Sequence, residues 1–236
     1  MTRRRALLGL GAAAAPEPMR IAAASDLAVA EQDLMRSSPV KDVRFAFGSS
    51  GVLARQIRSG APFDVFLSAS EEYVKQLADG GDIERASICV YALGRVGLWS
   101  KDGLVRSLPD LLSPRVKHVA IPNPLHAPYG IAAKAALESR GVWKAVEPKI
   151  VYGENVRQAL QFAESGNADA VLTSWTLLHG RGVLLPAEWH APVRQAGGVL
   201  AASKRKSEAR RFLAFLLSDA GQAILSSHGL FRPEPR

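Results

Sequence analysis

A chain of 236 residues with 47% hydrophobic content can bury a substantial core, in one large or two small domains, and is not of a disordered composition. Thirty Lys and Arg face 22 Asp and Glu, but Arg3, Arg4 and Arg5 belong to a leader-like stretch, and without residues 1–15 the balance is 27 against 22. That modest excess, no basic run beyond Lys204-Arg205-Lys206 and no aromatics interleaved with basic residues argue against a nucleic-acid partner, and the single cysteine, Cys89, excludes an internal disulfide or a Cys-rich metal site.

Residues 1–18 read as an export signal. Arg3-Arg4-Arg5 forms a basic start, Ala6 to Ala15 a short apolar stretch ending in small residues, and Pro16 follows. The pattern admits the twin-arginine type and is too short to span a bilayer; the bland alternative is a frayed N-terminal helix of a cytoplasmic protein. No later apolar run reaches membrane-spanning length, so the expectation is a soluble mature protein in the periplasm.

From Met19 onward, apolar runs alternate with stretches of helical period, which predicts an α/β protein with largely parallel sheets. Met19 to Ala24 is a first strand and Asp26 to Arg36 a helix. Val43 to Phe47 is a second strand, and Val52 to Arg58 a helix that Gly60 ends. Asp64 to Ser68 is a short third strand, nearly all apolar as for one covered on both faces, and Glu71 to Ala78 a helix stopped at Gly80-Gly81. Val90 to Trp99 is a long β-prone run and Leu104 to Leu112 a short helix and loop. A second series follows: strand Val116 to Ile121, helix Ile131 to Ser139, strand Lys149 to Tyr152, helix Val156 to Ser165, strand Ala170 to Thr173. Beyond Gly197-Gly198, Val199 to Ala202 is a last strand and Glu208 to Ser226 supplies one or two helices. Two series with no linker between them suggest two lobes joined by strands that cross between them, residues 19–89 with 195–236 forming one and 90–194 the other.

The turns after the strands carry the chemistry. Ser25-Asp26 follows the first strand and Gly48-Ser49-Ser50-Gly51 the second, and Pro128-Tyr129-Gly130 and Glu154-Asn155-Val156 open two helices of the other lobe. Each places hydroxyls or unpaired backbone N–H groups where a helix begins, at the carboxyl ends of strands, where ligands bind in open α/β sheets. No Lys or Arg stands at a turn tip, although Arg157 lies one residue into its helix. Neutral donors alone favour a fully ionised oxyanion such as molybdate, tungstate or sulfate, because a protonated anion would present an O–H to further donors. The competing local reading makes Ser25, Ser49 and Ser50 simple helix caps. Asp64 is read as a carboxylate bonding a turn near the cleft, Cys89 as a buried small residue, and the five histidines, which share no ligand spacing, as non-ligands.

Ala22-Ala23-Ala24-Ser25, Gly48-Ser49-Ser50-Gly51-Val52-Leu53-Ala54-Arg55-Gln56-Ile57, Gly60 to Ala69 and Glu154 to Leu160 together resemble the periplasmic molybdate-binding protein family, from about Met19 to the C-terminus. The resemblance implies the type II periplasmic-binding-protein fold: a monomer whose two lobes close on molybdate or tungstate and dock to the membrane permease of an ABC importer, with no cofactor and no catalysis. By position it implies hydroxyl and amide donors from Ser25 and Ser50 and backbone N–H donors from Tyr129, where the family often has alanine, and from Val156. Thr173 stands where the family commonly has a tyrosine hydroxyl. That departure calls for tighter closure, a water, or substitution by Ser174 or Tyr129. The rival readings are a receptor for sulfate or another small anion, an intracellular oxyanion-sensing module, and an enzyme using Cys89 or Asp64.

Overall fold

Short buried strands, each handing over to an amphipathic helix, build two five-stranded sheets. The computed structural model describes residues 17–178 and 180–234, so the basic and apolar stretch read as an export signal lies outside the described residues. In chain order, β1 (Met19–Ala24) leads through a 3-10 turn, Ser25–Ala30, into α1 (Glu31–Ser37); β2 (Val43–Gly48) leads into α2 (Ser50–Arg58), and β3 (Val65–Ser68) into α3 (Glu71–Asp79). Then come β4 (Cys89–Gly94), β5 (Val96–Trp99), β6 (Val119–Pro122), α4 (Pro128–Ser139), α5 (Trp143–Val146), β7 (Ile150–Gly153), α6 (Val156–Ser165), β8 (Ala170–Ser174), α7 (Trp175–Leu178), β9 (Val183–Leu184), β10 (Val193–Val199), α8 (Lys206–Leu217) and α9 (Asp219–Ser227). The helix expected over 26–36 is thus split, its first turns wound more tightly as the chain leaves β1.

The first sheet has the order β2-β1-β3-β10-β4 and the second β7-β6-β8-β5-β9. In each, the strands joined by helices are parallel: β1 with β2 and β3, and β6 with β7 and β8. β10 runs antiparallel to β3 and β4, and β5 antiparallel to β8 and β9. The expectation of mainly parallel sheets therefore holds for the strand-helix-strand part of each half and not for the strands that cross. A strand arriving straight from the other half, with no helix to carry it back, enters at the end where its parallel neighbours finish, and so must run against them.

The crossing is abrupt. The apolar run from 90 to 99 is two strands in two sheets with only Arg95 between them, and the return passes from β9 through residues 185–192 into β10. The chain changes sheet a few residues away from the breaks expected at 89/90 and 194/195. The last strand also differs from the reading that placed it at 199–202: β10 starts at Val193 and runs through Gly197-Gly198, which punctuate nothing. These glycines serve close approach, since a Cβ on Gly197 would stand 2.8 Å from Leu67 Cδ2 and one on Gly198 2.6 Å from Ile83 Cγ2.

Helix faces follow the apolar spacing. α6 buries Val156, Ala159, Leu160 and Ala163, is capped by Asn155, whose side chain accepts from the N–H of Arg157 and Gln158, and ends at Gly166 with φ +83°. Apolar layers cover both faces of the first sheet, one including Leu27, Leu34 and Phe212, the other Leu53, Ile57 and Leu77. The core of the second half, built on Leu98, Ile121 and Leu172, also takes in Ala24 and Ala69 of the first, so the halves are in contact at the strand ends.

Gly198→Ala tests the packing of β10. Overfilling a tight site costs about 1–3 kcal/mol, and thermal unfolding is expected to show a lowered midpoint, whereas an unchanged one contradicts the close approach.

Candidate functional site

Where the two halves meet, the carboxyl ends of β1, β2, β6 and β7 converge on a cavity of at most about 210 Å3 of atom-free space. Its wall comprises Ala24, Ser25, Asp26, Gly48, Ser49, Ser50 and Ala69 from one half and Ala127, Pro128, Tyr129, Asn155 and Val156 from the other. No Lys or Arg is among them. The volume open to a water-sized sphere, about 10 Å3, is far below the roughly 300–1,000 Å3 of pockets for drug-sized molecules.

Four of the five expected site residues line it. Ser50 begins α2; its Oγ accepts the Ala69 N–H at 2.9 Å, which occupies one lone pair and leaves the hydroxyl proton free to donate. Ser25 opens the 3-10 turn after β1 and is buried. In α4, Pro128 has no N–H, and the N–H groups of Gly130 and Ile131 go to the Ala127 carbonyl, so the Tyr129 amide is the first unclaimed donor of that helix. Asn155 satisfies Arg157 and Gln158, and the Val156 N–H, at the first helical position, remains.

Thr173 is placed otherwise. It does not line the cavity: its hydroxyl donates to the Val156 carbonyl at 2.9 Å, bracing the first turn of α6 from β8. A threonine side chain reaches only the adjacent backbone where a tyrosine would extend further. Ser174, one of its suggested substitutes, pairs with Thr176 Oγ1 at 2.8 Å. Tyr129, the other, sends its hydroxyl to Asp26 Oδ2 at 2.8 Å.

Asp26, Gln195, Gly51 and His126 are functional neighbours that sequence reasoning passed over. The sequence places Asp26 in the turn after the first strand and at the start of a helix without giving its side chain a role, yet it is buried in the cavity wall. Its Oδ2 accepts from Tyr129 and, at 2.5 Å, from Gln195 Nε2, while its Oδ1 is buried without a hydrogen-bond partner. Burial pushes this carboxyl above the usual carboxylate range, against the pull of the Gln195 amide, the Tyr129 hydroxyl and the backbone N–H groups of Asp26 and Leu27. At the rim, the Gly51 N–H donates across the cleft to the His126 carbonyl at 2.9 Å, and Ser49 Oγ meets His126 Nδ1 at 2.9 Å. A carboxylate directly after a strand-end serine was the available signal for Asp26; the rim contacts have none, since they join residues 75 or more apart.

The remaining candidates lie elsewhere. Asp64 does bond a turn, accepting from Arg20 N and Ser203 Oγ, but at the starts of β1 and β3 rather than near the cleft. Cys89 sits on β4 with its thiol pushed up to about 11 by burial, which leaves it protonated and a poor nucleophile. Among the described residues no cluster of three or more His, Cys, Asp and Glu could hold a metal ion, and no helix is long and apolar enough to cross a membrane.

A sequence profile described as bacterial extracellular solute-binding protein matches residues 19–231. The chain belongs to that family. Among its relatives, this solute-binding protein is 34% identical over 192 residues to the molybdate-binding protein ModA of Rhodobacter capsulatus, covering 79% of this chain and 76% of that one. With the corresponding protein of Azotobacter vinelandii it shares 33% identity over 193 residues, covering 78% and 77%. The solved structure of the Azotobacter vinelandii periplasmic molybdate-binding protein superposes with a TM-score of 0.85 at 28% identity, over 92% of this chain and all of that one. The Mycobacterium tuberculosis sulfate-binding protein SubI shares the fold, with a TM-score of 0.76 at 16% identity over 93% and 88%.

The rim supplies a test of closure. A Cβ on Gly51 would stand 2.8 Å from the His126 carbonyl oxygen and 2.7 Å from the Tyr73 hydroxyl, so Gly51→Ala wedges the rim apart. Small-angle scattering is expected to show a larger radius of gyration for this variant than for the parent under ligand-saturating conditions, with circular dichroism unchanged; equal radii would contradict the role of this contact.

Proposed function

We propose that this chain is the substrate-binding component of an ABC importer, which captures a tetrahedral oxyanion, molybdate or tungstate, between its two halves in the periplasm and delivers it to a membrane permease. One observation carries the reading: hydroxyls and orphan N–H groups from both halves line one small cavity that has no Lys or Arg in its wall. Printed descriptions of its relatives as molybdate-binding proteins support the choice of ion.

In this reading Ser25 and Ser50 donate from one half, the Tyr129 and Val156 N–H groups from the other, and Thr173 acts indirectly by holding the turn that presents Val156. The lobes divide where the chain changes sheet, at Arg95 and again ahead of Val193. The ion is the ligand, with no further cofactor, and the protein works as a monomer without catalysis. The open form admits the anion, and donors from both sides then favour the closed form because only there can all of them reach it. Aligned peptide dipoles at the starts of α2, α4 and α6 add to the attraction without bringing a cation that would bind any anion.

Calorimetric titration with molybdate, tungstate and sulfate tests the proposal. Molybdate and tungstate are expected to bind one per chain and more tightly than sulfate; no binding of any of the three, or preference for sulfate, overturns it. Ser50→Ala removes a hydrogen bond to a charged group, worth about 1.5–3 kcal/mol, so its molybdate affinity should fall roughly 10- to 100-fold while the circular dichroism spectrum stays the same. Undiminished affinity would take Ser50 out of the site.

A further inference from the structure

The Asp26 carboxyl sits in the wall of a cavity read as holding a doubly charged anion, a placement that donor counting leaves unexplained. From the cavity geometry and the hydrogen bonds around it, we infer that Asp26 is a neutral carboxylic acid in the closed form: closing on the anion takes up one proton at Asp26 Oδ1, and the proton neutralises part of the charge the site must bury. This rests on the oxyanion reading above and specifies its electrostatics.

Three features carry it. The carboxyl is buried, only 1% exposed, and its two oxygens are treated differently. Oδ2 accepts from Tyr129 and Gln195, whereas Oδ1 is buried with no hydrogen-bond partner, a costly state for an ionised oxygen and a seat for a proton. The backbone N–H groups of Asp26 and Leu27 also favour the ionised form, but burial outweighs them. The donors to Oδ2 have little freedom. Tyr91 Oη donates to Gln195 Oε1 at 2.8 Å, which turns the Gln195 amide nitrogen toward Asp26 and the Tyr129 hydroxyl. Finally, among the described residues no charged side chain is paired with Asp26. From the elements packed against it come Tyr129 of α4, Tyr91 of β4, Gln195 of β10 and Thr176 of α7, whose Oγ1 donates to the Asp26 carbonyl. Both tyrosines are held neutral, their pKa values pushed far up by burial and by the neighbouring Asp26. Arg95, at the crossing between the sheets, turns its guanidinium to the Leu185 carbonyl and the Phe231 ring.

Two of these covering groups, Tyr129 and Thr176, belong to the opposite half, so opening uncovers the carboxyl to water. There it regains an ordinary acidity, near pH 4, and ionises. Closure thus converts a carboxylate and one proton from solvent into a carboxylic acid, which removes one negative charge from the wall of the cavity. Because the closed form binds a proton that the open form has released, closure strengthens as pH falls and weakens as it rises, from above the open-state pKa up to the raised closed-state one. Linkage of one proton to one anion means about a tenfold loss of affinity per pH unit.

Titration calorimetry with sodium molybdate on the full chain, in buffers of differing ionisation enthalpy near neutral pH, reads the proton directly. The expected result is an uptake of at least half a proton per anion, an affinity that falls as pH rises toward the raised closed-state value as that linkage requires, and neither effect in Asp26→Asn. The asparagine retains the acceptor for Tyr129 and Gln195 and carries its own N–H where the proton would sit, so it should still bind molybdate. Difference infrared spectra of loaded minus free protein should add a carboxylic-acid carbonyl band that this substitution abolishes. Molybdate binding with less than half a proton taken up, or uptake that persists in Asp26→Asn, overturns the inference and leaves the oxyanion reading standing. Binding of hydrogen phosphate in preference to molybdate overturns it too, because that anion would bring its own proton to an ionised Asp26. Absence of any oxyanion binding removes the reading and this inference together.

Discussion

An anion stripped of water and given no cation must find its stabilisation in dipoles, and enough dipoles reach one small ion only when they arrive from several directions. In the proposed reading, that requirement organises this protein. A single βα turn offers a hydroxyl and one or two N–H groups; two turns of one sheet offer a half-shell. In that reading Ser25 and Ser50 on one side and the first turns of α4 and α6 on the other, which line one cavity, complete the shell only when the halves are together. Affinity and closure are then one free-energy change seen from two ends, since the anion stabilises the closed form by as much as it binds that form better.

The hinge strands make such closure affordable in structural terms. Because β4 and β5 are separated by Arg95 alone, the halves are tethered closely enough to keep their cleft faces in register, yet they share no continuous sheet that would have to break. Contact is then made by features with little tolerance. Gly51 brings its backbone against His126, and Gly94 leaves room for the Tyr129 hydroxyl, whose oxygen a Cβ would overlap at 2.1 Å. The antiparallel strands β5 and β10 are the structural signature of this arrangement, being the places where the chain enters a sheet from the cleft side.

The polar node beneath the cavity joins these two themes. Asp26 and Gln195 of one half meet Tyr129 and Thr176 of the other in a hydrogen-bonded set whose proton positions are nearly determined by the partners each group has. A buried network of this kind stabilises only when it is fully satisfied. Its one orphan, Asp26 Oδ1, therefore marks where the closed form has something still to gain. The departure at Thr173 fits the same logic: with no long hydroxyl projecting from β8, that strand steadies Val156, and the Tyr129 side chain spans the halves.

Local pattern determined most of the architecture. Apolar runs and helical spacing located β1, β2, β3 and α6 to within a residue or so, because those elements are set by burial of their own side chains and by caps such as Asn155 and Gly166. Strand-end serines and helix starts pointed to the four turns, since a turn's orphan donors are a property of the turn itself, and the family resemblance singled out Ser25, Ser50, Tyr129 and Val156 within them. Tertiary structure alone decided the rest. Whether residues 90–99 were one strand or two depended on which sheet accepted each half, and Gly197-Gly198 reads as a break until Leu67 and Ile83 are seen pressing on it. The diversion of Thr173 to a carbonyl, the rim contact of Gly51 with His126 and the burial of Asp26 arise from groups far apart in the chain, and spacing along a sequence carries no record of which donors and acceptors will be shut away from water together.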